Sequence, residues 1–227
     1  MNTDKYQQTL YHRQGFIGKI LSALKHVKLL EDEGFHDIVV SVKASDVATT
    51  IAAYRELAER TDLPLHLGLT EAGTFLRGTV HSAVALGILL SEGIGDTVRV
   101  SLTDTPEREV KVGLELLRAL GLRVPGPSVT SCPTCGRTKC DVQGVAEAVE
   151  RELEKLAAGR RVVKFPRVAV MGCVVNGPGE AKGADVALCG GDGVFLLYED
   201  GEQKRKVSEQ EAVRAVIEAV SRRLADA

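Results

Sequence analysis

Asp37-Ile38-Val39-Val40-Ser41-Val42-Lys43 is a short, nearly continuous apolar run, and its reading sets the fold class. A run of this length, preceded by Gly34 and followed by the candidate helix cap Ser45, fits a buried parallel strand. Upstream, Leu21, Leu24, Val27 and Leu30 trace a roughly helical period that stops at Gly34. Downstream, Val47, Ile51, Tyr54, Leu57 and Ala58 share one helical face. The unit then repeats. Leu65-His66-Leu67-Gly68-Leu69 reads as a strand, Val80 to Leu90 as a small-residue helix, and Thr97 to Leu102 as the next strand. Thr105 and Pro106 open a helix bearing Val110, Leu114, Leu117 and Leu120. Pro125 to Ser131 is a fourth strand candidate. Alternation at this spacing predicts βαβ units and a parallel sheet, either doubly wound or part of a (β/α)8 barrel. A closed barrel takes about 250 residues, so four units make half of one.

The composition of residues changes after Asp141. Val145 to Leu156 reads as a charged amphipathic helix, Gly159-Arg160-Arg161 as a turn, and Arg167 to Met171 as a strand. Asp185 to Leu188 and Val194 to Tyr198 read as two further strands, and Ser208 caps a last helix through Val213, Val216, Ile217 and Val220. The expected organisation is a barrel-like domain over residues 1–131 and a small α+β module over 132–227.

Bulk properties narrow the function classes. Hydrophobic residues make up 44% of the 227, enough to bury a core. A formal net charge of −2, with Lys and Arg scattered along the chain, argues against nucleic acid as the main partner. The first fifteen residues lack the apolar core of a signal peptide, no run reaches membrane-spanning length, and the five cysteines are an odd number. A cytoplasmic chain without a disulfide framework is expected.

Two loops hold the most chemistry. Ser131-Cys132-Pro133-Thr134-Cys135-Gly136-Arg137 contains a C-x-x-C turn, and Met171-Gly172-Cys173-Val174-Val175-Asn176-Gly177-Pro178-Gly179-Glu180 adds a third cysteine after an apolar run. Three thiolates from glycine- and proline-rich loops suit an iron–sulfur cluster or zinc. A dithiol redox pair at Cys132 and Cys135, or plain buried cysteines, are the competing readings. In parallel α/β architectures ligands gather beyond the carboxyl ends of the strands, where Lys43, Glu71, Arg99 and Ser101 stand. Lys43 and Arg99 are suited to a phosphate, and a partly desolvated Glu71 to acid–base work. Lys43 and Glu71 paired with each other is the plainer alternative. His66, inside a strand, is expected to be a core histidine.

Ser41-Val42-Lys43-Ala44-Ser45-Asp46-Val47, Leu65 to Gly73, Glu92-Gly93-Ile94-Gly95-Asp96-Thr97 and the two cysteine loops together resemble one family. It is 4-hydroxy-3-methylbut-2-enyl diphosphate synthase, the iron–sulfur enzyme of the non-mevalonate isoprenoid pathway. The resemblance runs from about Ala23 to the end. It implies a [4Fe-4S] cluster held by Cys132, Cys135, Cys173 and Glu180; Cys140 is not a family ligand position but follows the C-x-x-C closely enough to compete with Glu180 as a fourth thiolate, and Cys189 reads as a small buried residue. It further implies substrate contacts from Lys43, Arg99, Ser101 and Asn176, and an acid–base role for Glu71. The implied reaction is reductive ring opening and dehydroxylation of 2C-methyl-D-erythritol 2,4-cyclodiphosphate, with ferredoxin or flavodoxin as electron donor and a homodimer as the assembly. Residues 1–18 match no part of the family pattern. The expected architecture is therefore the C-terminal half of a (β/α)8 TIM-type barrel followed by a small α+β iron–sulfur domain. A non-catalytic iron–sulfur or electron-transfer fragment is the rival reading.

Overall fold

The computed structural model describes residues 3–124, 126–158, 164–175 and 177–225, with backbone alone for 3–16. It divides into two compact units, Met1–Arg123 and Val124–Ala227.

The first unit opens with helix α1 (Thr3–Asp32), closed by Gly34 at φ 78°. Phe35 N–H donates back to the Leu30 carbonyl at 2.9 Å, which satisfies a free carbonyl of the last turn. The buried stripe of α1 is Ile20 and Val27, with Leu24 partly covered, while Leu21 and Leu30 are exposed. Leu24 and Val27 face the core as the period predicts, while Leu21 and Leu30 do not and Ile20 takes the buried place beside them. The segment 37–43 makes a single parallel bridge, Val40 to Leu65, beside the two-stranded parallel sheet of β1 (His66–Gly68) and β2 (Thr97–Arg99). Between them run α2 (Val47–Ala58) and α3 (Phe75–Ser91), and α4 (Pro106–Ala119) follows. Asp46, not Ser45, caps α2, its carboxylate accepting from Thr49 N–H at 2.8 Å. Thr105 and Pro106 stand at the α4 start as expected, but the Thr105 side chain makes no cap hydrogen bond, Val110 is exposed, and Gly113 and Leu116 are the buried residues.

The three extended segments share one alternation. Val40, Val42, Leu65, Leu67, Leu69, Val100 and Leu102 are buried in one core with Tyr54, Leu57, Leu86, Leu89 and Leu116 from the helices. The residues between them, Ser41, Lys43, His66, Gly68, Thr97, Arg99 and Ser101, form the other face. Gly95, at φ 111°, lets its turn lie against Leu67, where a Cβ would fall 2.5 Å from Leu67 Cγ. Asp96 then accepts from Leu65 N–H at 2.8 Å and fixes the strand start.

The second unit is a mixed sheet in the order β3-β4-β5-β6-β7: β3 (Val129–Ser131), β4 (Val168–Met171), β5 (Val186–Gly190), β6 (Val194–Glu199) and β7 (Glu202–Ser208). β3, β4 and β5 are parallel, and β5, β6 and β7 antiparallel. Val129–Ser131, expected to follow the barrel strands, pairs instead with Val168–Val170, so residues 124–131 lie with the second unit. Local sequence names a strand and not its neighbour. Helices α5 (Val142–Ala157) and α7 (Glu209–Ala225) cover one face over Val168, Val170, Val186 and Leu188. The five-residue α6 (Gly177–Ala181) covers the other, over Ala169, Met171, Ala187 and Cys189. Ser208 stands immediately before α7 as expected, and its N–H (3.3 Å) and hydroxyl (2.9 Å) both donate to the Glu211 carboxylate, the Glu half of a capping box. β7 is an addition: an edge strand rich in charge, exposed at every residue but Val207. Asp200 (φ 53°) and Gly201 (φ 76°) make the tight turn that brings it back. The chain is thus mixed α/β, and no sheet closes among the described residues. The expected turn at Gly159–Arg161 and the candidate Asn176 lie outside the described residues.

Candidate functional site

In the first unit the polar face gathers three groups that favour anions. Lys43 lies along Gly68, where a Cβ would meet Lys43 Cε at 3.1 Å and the Arg99 carbonyl at 2.9 Å. Gly68 is therefore the slot that lets the Lys43 stem cross β1 toward Arg99, the residue paired with Gly68 in β2. Partial burial, then the Arg99 guanidinium, pushes the Lys43 ammonium below its ordinary pKa. His66 belongs to the same face. It is half-buried, its Nδ1 is 2.8 Å from Thr97 Oγ1, and its pKa is lowered by burial first, then by Lys43 and Arg99. The expectation of a core histidine is corrected: the side chain sits opposite the core, at the alternate position to Leu65 and Leu67. The signal was present, because a histidine between two leucines in a strand faces away from them.

The face is pinned from beneath by Tyr54. This fully buried residue donates its hydroxyl to the His66 carbonyl at 2.6 Å and receives Val42 N–H at 3.3 Å. Ser41 Oγ adds a second bond to the same carbonyl at 2.9 Å. Ser101 is half-buried two residues past Arg99. Glu71 is exposed rather than desolvated and sits at φ 56°, a backbone conformation uncommon outside glycine. Among the described residues no ion pair joins it to Lys43.

In the second unit the three parallel strands end side by side, and each delivers cysteine or glycine. β3 runs into Cys132, β4 into Gly172-Cys173, and β5 finishes on Cys189-Gly190. Gly172 N–H points at Cys132 Sγ from 3.2 Å. Cys135 is exposed, and N–H bonding around Arg137, with the Thr138 hydroxyl next, holds its thiol below the ordinary pKa. Cys173 is buried and its carbonyl accepts Gly177 N–H at 3.1 Å, tying the loop to α6 and the exposed Glu180. Cys140 turns toward the Gly172 carbonyl at 3.8 Å, and burial pushes its thiol up to about 11. Cys189 is fully buried, its thiol pushed up to about 12 by burial and then by Cys173.

Among the described residues no three His, Cys, Asp or Glu side chains stand close enough to hold one metal ion. A cubane asks for something different, because each protein ligand takes its own iron and the ligands stand farther apart. Backbone N–H groups aimed at the sulfurs of Cys132 and Cys135 suit a cluster's thiolates, whose charge such bonds stabilise. The donor chemistry therefore fits an iron–sulfur group.

Residues 3–114 match the GcpE TIM-barrel domain, so the family match begins near the first residues and not at about Ala23 as expected, and residues 128–222 match the GcpE protein C-terminal domain. The chain belongs to the GcpE family. Curated GcpE-type relatives bear the name 4-hydroxy-3-methylbut-2-en-1-yl diphosphate synthase (flavodoxin). The protein of Symbiobacterium thermophilum is 54% identical over 209 residues, 92% of this chain and 55% of its own length. That of Geobacter sulfurreducens is 55% identical over 205 residues, covering 90% and 56%. That of Clostridium tetani is 44% identical over 223 residues, covering 97% and 62%. This GcpE chain thus spans little more than half the length of the relatives it matches. No helix among its described residues is long and apolar enough to cross a membrane.

Proposed function

We propose that this chain carries the cluster and part of the substrate face of an iron–sulfur oxidoreductase. The reaction is reductive ring opening of 2C-methyl-D-erythritol 2,4-cyclodiphosphate to 4-hydroxy-3-methylbut-2-enyl diphosphate. The observation that carries this reading is the shared strand edge of the second sheet, where Cys132 and Cys173 emerge from neighbouring strands with a backbone N–H aimed at sulfur. The βα units of the first unit correspond to part of a (β/α)8 barrel, and their polar face to its interior.

Cys132, Cys135, Cys173 and Glu180 hold a [4Fe-4S] cluster in this reading. When bound, the cluster supplies electrons one at a time and an iron able to receive an oxygen. A carboxylate suits the fourth position because oxygen binds iron less firmly than thiolate and yields more readily. Lys43 and Arg99 hold the diphosphate, the first as a point charge and the second as a fork. His66, whose Nδ1 is engaged by Thr97, offers Nε2 to the same anion. Ser101 and Asn176 add polar contacts. Glu71 delivers a proton as the hydroxyl leaves as water, and two electrons enter to balance that loss. Flavodoxin, named with the relatives, is the proposed donor, and a cytoplasmic homodimer the proposed working form.

Two measurements test the reading on the anaerobically reconstituted chain. Iron and sulfide near four of each per chain, lost in Cys132→Ala, is the expected result; no iron uptake overturns it. Calorimetric titration with the cyclodiphosphate should saturate and weaken on Arg99→Ala. Iron without saturable binding would make the chain a cluster-bearing fragment only.

A further inference from the structure

Gly177 is the joint between the cysteine loop and the helix that carries Glu180. Its N–H reaches back to the Cys173 carbonyl, and it is the first residue of α6. Its φ is not left-handed, so alanine is conformationally allowed there. Space is what forbids it. A Cβ on Gly177 would fall 2.6 Å from both Cβ and Sγ of Cys189 and 3.4 Å from its Cα. Cys189, in turn, is immobilised: it is fully buried in β5, in register with Met171 on one side and Leu196 on the other. Its neighbour Gly190 is just as confined, since a Cβ there would collide with Cys140 Sγ and lie 2.9 Å from the Gly172 carbonyl carbon.

The end of β5 therefore works as a base plate beneath both cysteine loops. We propose that Cys189 is a positioning residue whose side chain, fitted against the bare Cα of Gly177, sets the height of α6 above the sheet and so the place of Glu180. The inference rests on the reading of Glu180 as a cluster ligand. Cysteine meets the steric demand with a group that needs no hydrogen-bond partner, where serine would bury a hydroxyl. Anything branched would lift the helix, and alanine would leave it unsupported. Glu180 lies three residues beyond the contact, less than one turn away, so displacement of Gly177 is transmitted to it with little loss.

The test is a size exchange on the full chain, reconstituted anaerobically. Gly177→Ala should keep its iron, since the three cysteines are untouched. It should change the g values of the reduced cluster and shift its midpoint potential as solvent replaces the carboxylate. Gly177→Ala combined with Cys189→Gly should restore the wild-type spectrum. A wild-type spectrum in the single variant, or an altered one in the double, overturns the proposal. If Gly177→Ala does not fold, Cys189→Ala replaces it. That change only removes an atom, and should speed iron loss to a chelator several-fold while lowering the melting temperature by only about 2–4 °C; unchanged release overturns the proposal.

The apo chain gives a reading independent of iron. Amide exchange over Gly177–Ala181 should rise about tenfold in Gly177→Ala and return in the double variant. Failure of the wild-type chain to take up iron would remove the proposed function. The exchange result would still decide whether Cys189 seats α6.

Discussion

Replacing Tyr54 by phenylalanine should loosen the anion-favouring face without touching any residue on it. The ring is fully buried and phenylalanine fills the same space, so no cavity forms. What is lost is the hydroxyl's bond to the His66 carbonyl at 2.6 Å, its acceptance of Val42 N–H at 3.3 Å and its contact with Ser41 Oγ at 3.2 Å. The His66 carbonyl keeps Ser41 Oγ at 2.9 Å and is not orphaned. Val42 N–H lies in a residue only 4% exposed and loses its partner. One lost bond costs about 1 kcal/mol and one stranded buried donor about 1–3, giving about 3 kcal/mol in total. For a chain of this size that is a fall in melting temperature on the order of 6–12 °C. Native-state amide exchange should locate the effect at Val42 and His66, and the His66 ring signals should broaden. A loss below about 0.5 kcal/mol, within the range of an ordinary surface change, would refute the assignment of Tyr54 as the pin of this face.

Further outcomes follow from the same geometry. His66 has a folded pKa below its ordinary value, so the neutral ring is the stabilising form. Its contribution is present above about pH 6.5 and disappears as pH falls through the folded pKa, and His66→Gln should flatten that part of a stability–pH curve. Inorganic pyrophosphate should reverse the sign, raising the His66 pKa in an NMR titration by masking Lys43 and Arg99; an unmoved pKa would separate His66 from the anion site. Gly95→Ala should destabilise by about 2–5 kcal/mol in denaturant titrations, from a Cβ forced on Leu67 at φ 111°. Cys140→Ala should retain full iron content, because its thiol is turned to the Gly172 carbonyl; loss of iron there would make it a ligand.

Much of this was legible in the chain because the informative residues act locally. Pro106 after Thr105, Ser208 before Glu211, and the C-x-x-C turn each fix geometry within a few positions. The misses are of two physical kinds. Strand partnership is non-local: nothing in Val129–Ser131 says that it will lie beside Val168–Val170, separated by a whole helix. Polarity also misled. Glu202–Ser208 is too charged to suggest a strand, although Asp200-Gly201 before it is a strong hairpin signal. The apolar flanks of His66 suggest the core, yet alternation with Leu65, Leu67 and Leu69 assigns it to the opposite face. Segment 37–43 reads as a nearly continuous apolar run, yet Val39 is 57% exposed while Val40 and Val42 are 5% and 4%. Convergence of the cysteine loops depends on three strands ending level, which spacing alone does not encode.

The two-sided alternation of the first unit also governs how such a gene can change length. Within Ser41–Lys43, His66–Gly68 or Thr97–Ser101, inserting or deleting one codon would reverse every side chain beyond it. Lysine and arginine would turn into the hydrocarbon interior and leucine and valine out to water, so core and polar face would fail in a single event. Length variation is therefore confined to the connections outside these segments, while substitution on the polar side leaves the core alternation intact.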